Sequence, residues 1–132
     1  MISTLLLALA LQGSLDAQAR AHNCTDAQSQ MDMNFCAEID FERADADLNA
    51  AWREAIAGAR AADRDIDRQS DQRATDEAKL REAQRAWLIF RDAQCTVEGY
   101  GERGGSMEPM VYNACRARIT RERTAQLRDS EN

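Results

Sequence analysis

The residues of this 132-residue chain best suited to chemistry are four cysteines, Cys24, Cys36, Cys95 and Cys115, an even set of the kind that pairs into disulfides. Zinc is the competing chemistry. No two of the four stand in CxxC spacing, and the single histidine, His22, lies near the start of the chain, so a Cys/His cage is not expected. Four cysteines allow three pairings, and sequence does not choose among them outright. The favoured one joins Cys95 to Cys115, which flank a glycine-rich stretch almost symmetrically, and Cys24 to Cys36, which would pin the N-terminal segment. In the chain-entropy picture a closed loop of about twenty residues contributes roughly 3 kcal/mol.

Other chemistries have weaker support. Acid–base catalysis needs two carboxyls in environments that push their pKa values apart, whereas the many Asp and Glu here sit in segments of alternating charge and read as solvated helix faces. Nucleophilic catalysis lacks a base, because His22 is terminal and the cysteines read as cystines. No serine has a GxSxG setting. Gly104-Gly105-Ser106 lacks the lysine of a phosphate loop. Trp52 and Trp87 offer an aromatic platform but fall on apolar stripes and read as core. Arg85 and Arg91, on either side of Trp87, could meet an anionic partner, with salt bridges to helical carboxylates as the simpler use. Neither catalytic residues nor a cofactor or metal site is therefore expected, and the chain does not read as an enzyme.

The elements that must position these residues are helices. One proline and six glycines leave long uninterrupted runs, and the length suits one domain with one modest core. Thr25 or Asp26 is placed to cap a short first helix. Ala37, Phe41, Ala44, Leu48, Ala51 and Ala55, widened by Trp52 and Ile56, then recur at spacings of three and four, an amphipathic helix of about six turns. Residues 63–75 are polar, either a linker or the solvated ends of two helices. A second helix starts at Thr75 as N-cap and carries Leu80, Ala83, Trp87 and Phe90, with Ala86, Ile89, Ala93 and Val97 beside them, as its expected core face. It stops at Gly99 or Gly101, where four of the six glycines fall within seven residues. A third helix begins around Ser106 with Pro109 in its first turn, and Val111, Cys115, Ile119 and Leu127 supply its apolar positions, interrupted by Arg123. The expected fold is an all-α, three-to-four-helix antiparallel bundle stapled by two disulfides, with all four cysteines at one end.

Residues 1–21 read as an export signal. Leu5-Leu6-Leu7-Ala8-Leu9-Ala10-Leu11 is apolar but too short to span a bilayer, and the small-x-small rule places cleavage after Ala19 or after Ala21. Residues 22–132 are then the mature domain, periplasmic or secreted. Cys24 follows Ala21-His22-Asn23, which is not a lipobox, so no membrane anchor is expected after cleavage. With 23 acidic against 17 basic residues the net charge is −6, and it survives removal of residues 1–21 because Asp16 and Arg20 cancel. Nucleic acid is a poor partner for such a surface, whereas a cationic protein would be attracted to it.

Several stretches together resemble a known family. They are Cys24-Thr25-Asp26-Ala27-Gln28-Ser29-Gln30-Met31-Asp32-Met33-Asn34-Phe35-Cys36-Ala37, then Ala44 to Asn49, then Leu80 to Cys95 with Ala83-Gln84-Arg85-Ala86-Trp87 at its heart, and finally Gly104 to Met110 with Cys115. In order and spacing they resemble the N-terminal domain of the lysozyme inhibitor LprI family, over nearly the whole of Cys24 to Leu127. The resemblance implies an all-α disulfide-containing domain of the periplasm or cell envelope, and inhibition of a cationic lysozyme-like enzyme as its activity. A cell-envelope binding module with no lysozyme activity is the alternative. The founding type of the family is a lipoprotein, and that anchoring does not carry over to a chain without a lipobox. The loop from Gly99 to Pro109 is the expected partner-binding element, with Glu102, Ser106 and Glu108 offering acceptors or charge to the enzyme's cleft; the simpler reading is a helix-to-helix turn capped by Ser106.

Overall fold

A computed structural model describes residues 2–129, with side chains from Leu5 onward. Its elements are α1 (Ile2–Ala21), α2 (Gln30–Arg64), α3 (Asp76–Gly99), a single 3-10 turn (Tyr100–Glu102) and α4 (Glu108–Asp129). Among the described residues there is no strand. The bundle is α2, α3 and α4 running up, down and up. The start of α2 meets the start of α4, where Asn34 Nδ2 donates to the Ser106 carbonyl at 2.9 Å. The end of α2 meets the start of α3, where Arg60 bonds Glu77 at 3.0 Å.

α2 and α3 each begin where side chains satisfy free backbone donors. Ser29 caps α2, accepting from the Asp32 N–H. Thr25 and Asp26, the expected caps, instead lie in turns: Asn23 takes a left-handed φ of 48°, and the Asp26 N–H bonds back to the Asn23 carbonyl at 2.9 Å. That reversal, tied down by the Cys24–Cys36 bridge, leaves no room for a short helix before Ser29. α2 then runs 35 residues rather than about six turns, because the alanine-rich, charged stretch after Ile56 contains no residue strong enough to stop it.

Thr75 caps α3 by accepting from the Ala78 N–H. Asp63, reaching across from the end of α2, accepts from the Asp76 and Glu77 N–H groups at 2.8 and 3.0 Å. Two side chains thus share the orphan donors of one helix start. Thr75→Ala should lower stability by about 1 kcal/mol, read as a lower urea midpoint; an unchanged midpoint would mean that Asp63 alone holds this end.

The core sits between α2 and α4. Leu48, Ala51 and Ala55 of α2 pack with Leu127 of α4, and Trp52, Leu80 and Trp87 close over them, as expected for tryptophans on apolar stripes. Phe41 and Ala44 meet Ala117, and Cys95 and Cys115 meet Ile119.

The expected core face of α3 needs correction. Leu80 and Trp87 do pack inward, but Ala83, Ala86 and Ala93 are exposed, as are Ile89 (74 %), Phe90 (56 %) and Val97 (65 %). The residues α3 buries are Arg91, Cys95 and Gly99. Two constraints set this rotation. The bridge to Cys115 directs Cys95 at α4, and with about 100° of turn per residue Phe90 then lies about 140° away from it. Arg91 fills the interior that an apolar side chain was expected to fill. It is 5 % exposed, bonds Asp92 at 2.9 Å, and lies over the rings of Trp87 (5.1 Å) and Phe41 (5.2 Å). Arg116 stacks on Phe41 at 3.6 Å and approaches Tyr112 at 5.0 Å. A ladder of Trp87, Arg91, Phe41, Arg116 and Tyr112 therefore ties the three helices together through cation–π contacts.

α1 rests on α2 through Leu15, which is buried, and through Asp16, which pairs with Arg43 at 2.6 Å. Its leucines from Leu5 to Leu11 face outward. Among the described residues no helix is long and apolar enough to cross a membrane.

Candidate functional site

The four cysteines are joined Cys24–Cys36 and Cys95–Cys115, with Cα atoms 5.5 and 5.4 Å apart. Both bridges lie toward the end of the bundle where α2 and α4 begin and α3 ends. Such bridges are compatible with an exported protein. Cys95 is 0 % and Cys115 3 % exposed, so the second bridge is a core element, and it fixes where the glycine-rich loop leaves α3 and rejoins the bundle.

That loop is knitted from within. The Arg103 N–H donates to the Tyr100 carbonyl (3.2 Å), the Gly105 N–H to the Glu102 carbonyl (2.8 Å), and the Glu108 N–H to the Gly105 carbonyl (3.3 Å). Gly104 adopts φ +77°, a conformation that side chains resist, and a Cβ on Gly105 would stand 3.1 Å from the Glu102 carbonyl oxygen. Of the three expected partner-binding side chains, Glu102 and Ser106 are exposed. Glu108 is half-buried, and its carboxylate accepts the Gly104 N–H at 2.8 Å. Glu108 therefore shapes the loop, while Glu102 and Ser106 stand at its surface. A shallow concavity of about 600 Å³ lies beneath, lined by Thr96, Gly99, Tyr100, Glu108, Pro109 and Tyr112.

The residues that sequence reasoning put in the core extend this site. Ala86, Ile89, Phe90, Ala93 and Val97 fall at helical spacing on one exposed face of α3, and Tyr100 of the 3-10 turn continues it, about 20 Å in all at 1.5 Å per residue. At its far end Arg103 lies 4.3 Å over the Tyr100 ring, so the face runs into the loop without a break. Ile89, Phe90, Val97 and Tyr100 are among the exposed large apolar side chains of the domain. The signal was present in the sequence as two apolar faces on one helix, too many for a helix packed along one side.

Among the described residues no catalytic geometry assembles. The carboxylates whose proton affinity is displaced, Asp32, Asp67, Asp71, Glu77 and Glu82, are all held below their ordinary values, whereas a general acid at neutral pH needs a raised one. For Glu77 the causes are its bonds to Arg60 and then Arg81. His22, Asp32 and Ser29 come together, but Ser29 donates to Asp32 (2.6 Å) and the imidazole Nδ1 contacts the other carboxylate oxygen (2.9 Å). A nucleophilic relay requires the imidazole between the two. Among the described residues no cluster of three or more His, Cys, Asp or Glu side chains is placed to hold a metal ion. Arg91 is spent inside the bundle, as the salt-bridge reading expected, while Arg85 is exposed.

Residues 21–127 match the family model for the lysozyme inhibitor LprI. The chain belongs to the lysozyme inhibitor LprI family. The matched span takes in α2, α3, α4 as far as Leu127, both bridges and the glycine-rich loop, and leaves out residues 1–20 and 128–132. An uncharacterized protein of Rhizobium meliloti (strain 1021) is 42 % identical to this LprI-family chain over 125 residues, which cover 95 % of this chain and 90 % of the relative. No solved structure matches the chain.

Proposed function

We propose that this LprI-family domain is exported to the periplasm or beyond the cell, and that it binds and inhibits a cationic lysozyme-type muramidase without catalysing a reaction. The observation that carries this reading is the exposed apolar face of α3 running into the glycine-rich loop. A rigid helix presents Ile89, Phe90 and Val97 in line with a protruding, tightly bonded turn, and a preorganised surface of this kind spends little entropy on binding. Electrostatics favour the same partner. A net charge of −6 steers a cationic enzyme toward the domain. In the complex Glu102 and Ser106 offer acceptors at the cleft, and Glu108 holds the turn through Gly104.

Replacing Glu102, Ser106 and Glu108 together with alanine should abolish inhibition of cell-wall lysis while the chain stays folded; full potency in the folded variant would remove the loop from the interface. Raising ionic strength should weaken inhibition by the unmodified protein, because the screening length falls from about 30 Å at 0.01 M to about 8 Å at 0.15 M.

A further inference from the structure

We propose that the processed N-terminus of this protein, Arg20-Ala21-His22, is a copper(II) and nickel(II) site. The proposal rests on the export reading above, with cleavage after Ala19. Ala17-Gln18-Ala19 satisfies the small-x-small rule, and of the two sites that do, this one leaves Arg20 as the first residue.

Cleavage there turns a bland tripeptide into a chelator. A histidine third from a free amino terminus brings four nitrogens into one plane: the α-amine, the amide nitrogens of the second and third residues, and the imidazole Nδ1. This is the square-planar nitrogen field that copper(II) and nickel(II) favour. The second and third residues must each carry an ionisable amide, and Ala21 and His22 do. In the uncut chain the His22 N–H donates to the Gln18 carbonyl at 3.1 Å; cleavage removes Gln18 and leaves that nitrogen without its partner. Three of the four donors belong to the backbone, so the site does not depend on a cluster of ligating side chains.

The surroundings suit a cation at this place. The Asp32 carboxylate stands 2.9 Å from His22 Nδ1. On metal binding it yields that nitrogen and keeps the Ser29 hydroxyl, 2.6 Å away. The imidazole stacks on Phe35 with ring centres 4.3 Å apart. Two residues further on, the Cys24–Cys36 bridge fastens the segment to α2, so the chelating tripeptide is anchored to the domain at its C-terminal side. The proton balance is simple. Each metal ion displaces the two amide protons, plus any proton on the amine or imidazole, and the two ionised amides neutralise its charge. Binding therefore weakens as pH falls.

The test uses the exported protein with its intact mass measured first, followed by titration with copper(II) at neutral pH. The expected result is a mass that starts at Arg20, one equivalent bound, and the visible absorption and electron-spin-resonance signature of four-nitrogen square-planar copper. A variant with one glycine added before Arg20 keeps His22 and the fold but moves the amine out of register, and it should lose that signature, as should His22→Gln. A mass starting elsewhere, His22 included, overturns the proposal at the processing step. A chain that does start at Arg20 but lacks the four-nitrogen signature, or an extended variant that keeps it, overturns the proposal at the metal site.

Discussion

Changing Ile89 and Phe90 together to aspartate should abolish inhibition of a lysozyme-type muramidase and leave the fold in place. Both side chains lie on the outer face of α3, 74 % and 56 % exposed, and exposed substitutions usually shift stability by about 0.5 kcal/mol or less. In a complex the balance reverses. Fully burying an Ile or Phe side chain contributes about 1.5–3 kcal/mol, and because both are already partly covered, losing the two anchors raises the inhibition constant about thirty- to several-hundredfold on that scale. Two carboxylates stripped of water against the partner weaken it further. Far-UV circular dichroism and the urea midpoint report the fold, and lysis of bacterial cell walls reports the activity. Undiminished inhibition by a folded double variant would remove the α3 face from the interface.

Replacing Cys95 and Cys115 together with alanine should cost about 3 kcal/mol or more. The bridge closes a loop of 20 residues, which in the chain-entropy model is worth about that much. Both sulfur atoms are also buried beside Ile119, so their removal opens a void that adds to the loss. Small domains hold only about 5–15 kcal/mol in total, and the urea midpoint should fall accordingly. Inhibition should fall with it, because this bridge sets the angle at which the glycine loop and the C-terminal end of α3 are presented. A midpoint unchanged from the parent would show that packing around Ile119 holds this end without the covalent link.

Much of the fold is legible in the sequence because its signals are local. Ala37, Phe41, Ala44, Leu48, Ala51 and Ala55 repeat at helical spacing, and their burial in α2 follows from that repeat, Ala37 alone staying partly exposed. Thr75 is a cap by residue type and place, and the glycines from Gly99 to Gly105 announce the turn that follows α3. What is not legible is rotation about a helix axis. α3 carries apolar residues on two faces, and composition alone assigns both to the core. Three-dimensional constraints decide between them. The bridge from Cys95 turns one face toward α4, and Arg91, a residue type normally found outside, completes the interior by lying between Trp87 and Phe41 and meeting Asp92. The start of α2 was missed for a related reason. Thr25 and Asp26 are good caps by type, but the left-handed turn at Asn23 and the bridge to Cys36 hand the role to Ser29. The loop residues Glu102, Ser106 and Glu108 are singled out by position alone, while the difference the structure makes between them rests on one hydrogen bond, from the Gly104 N–H to Glu108, that no residue pattern encodes.

The central claim is that this surface inhibits a muramidase, and the most direct measurement is lysis of bacterial cell walls by a panel of lysozymes in the presence of the purified, oxidised mature protein, with a reduced and alkylated sample beside it. The account predicts inhibition of at least one cationic lysozyme by the oxidised protein, weakening as salt rises and absent from the reduced sample. Undiminished lysis by every enzyme of the panel at low salt, with the oxidised protein in excess, would contradict it.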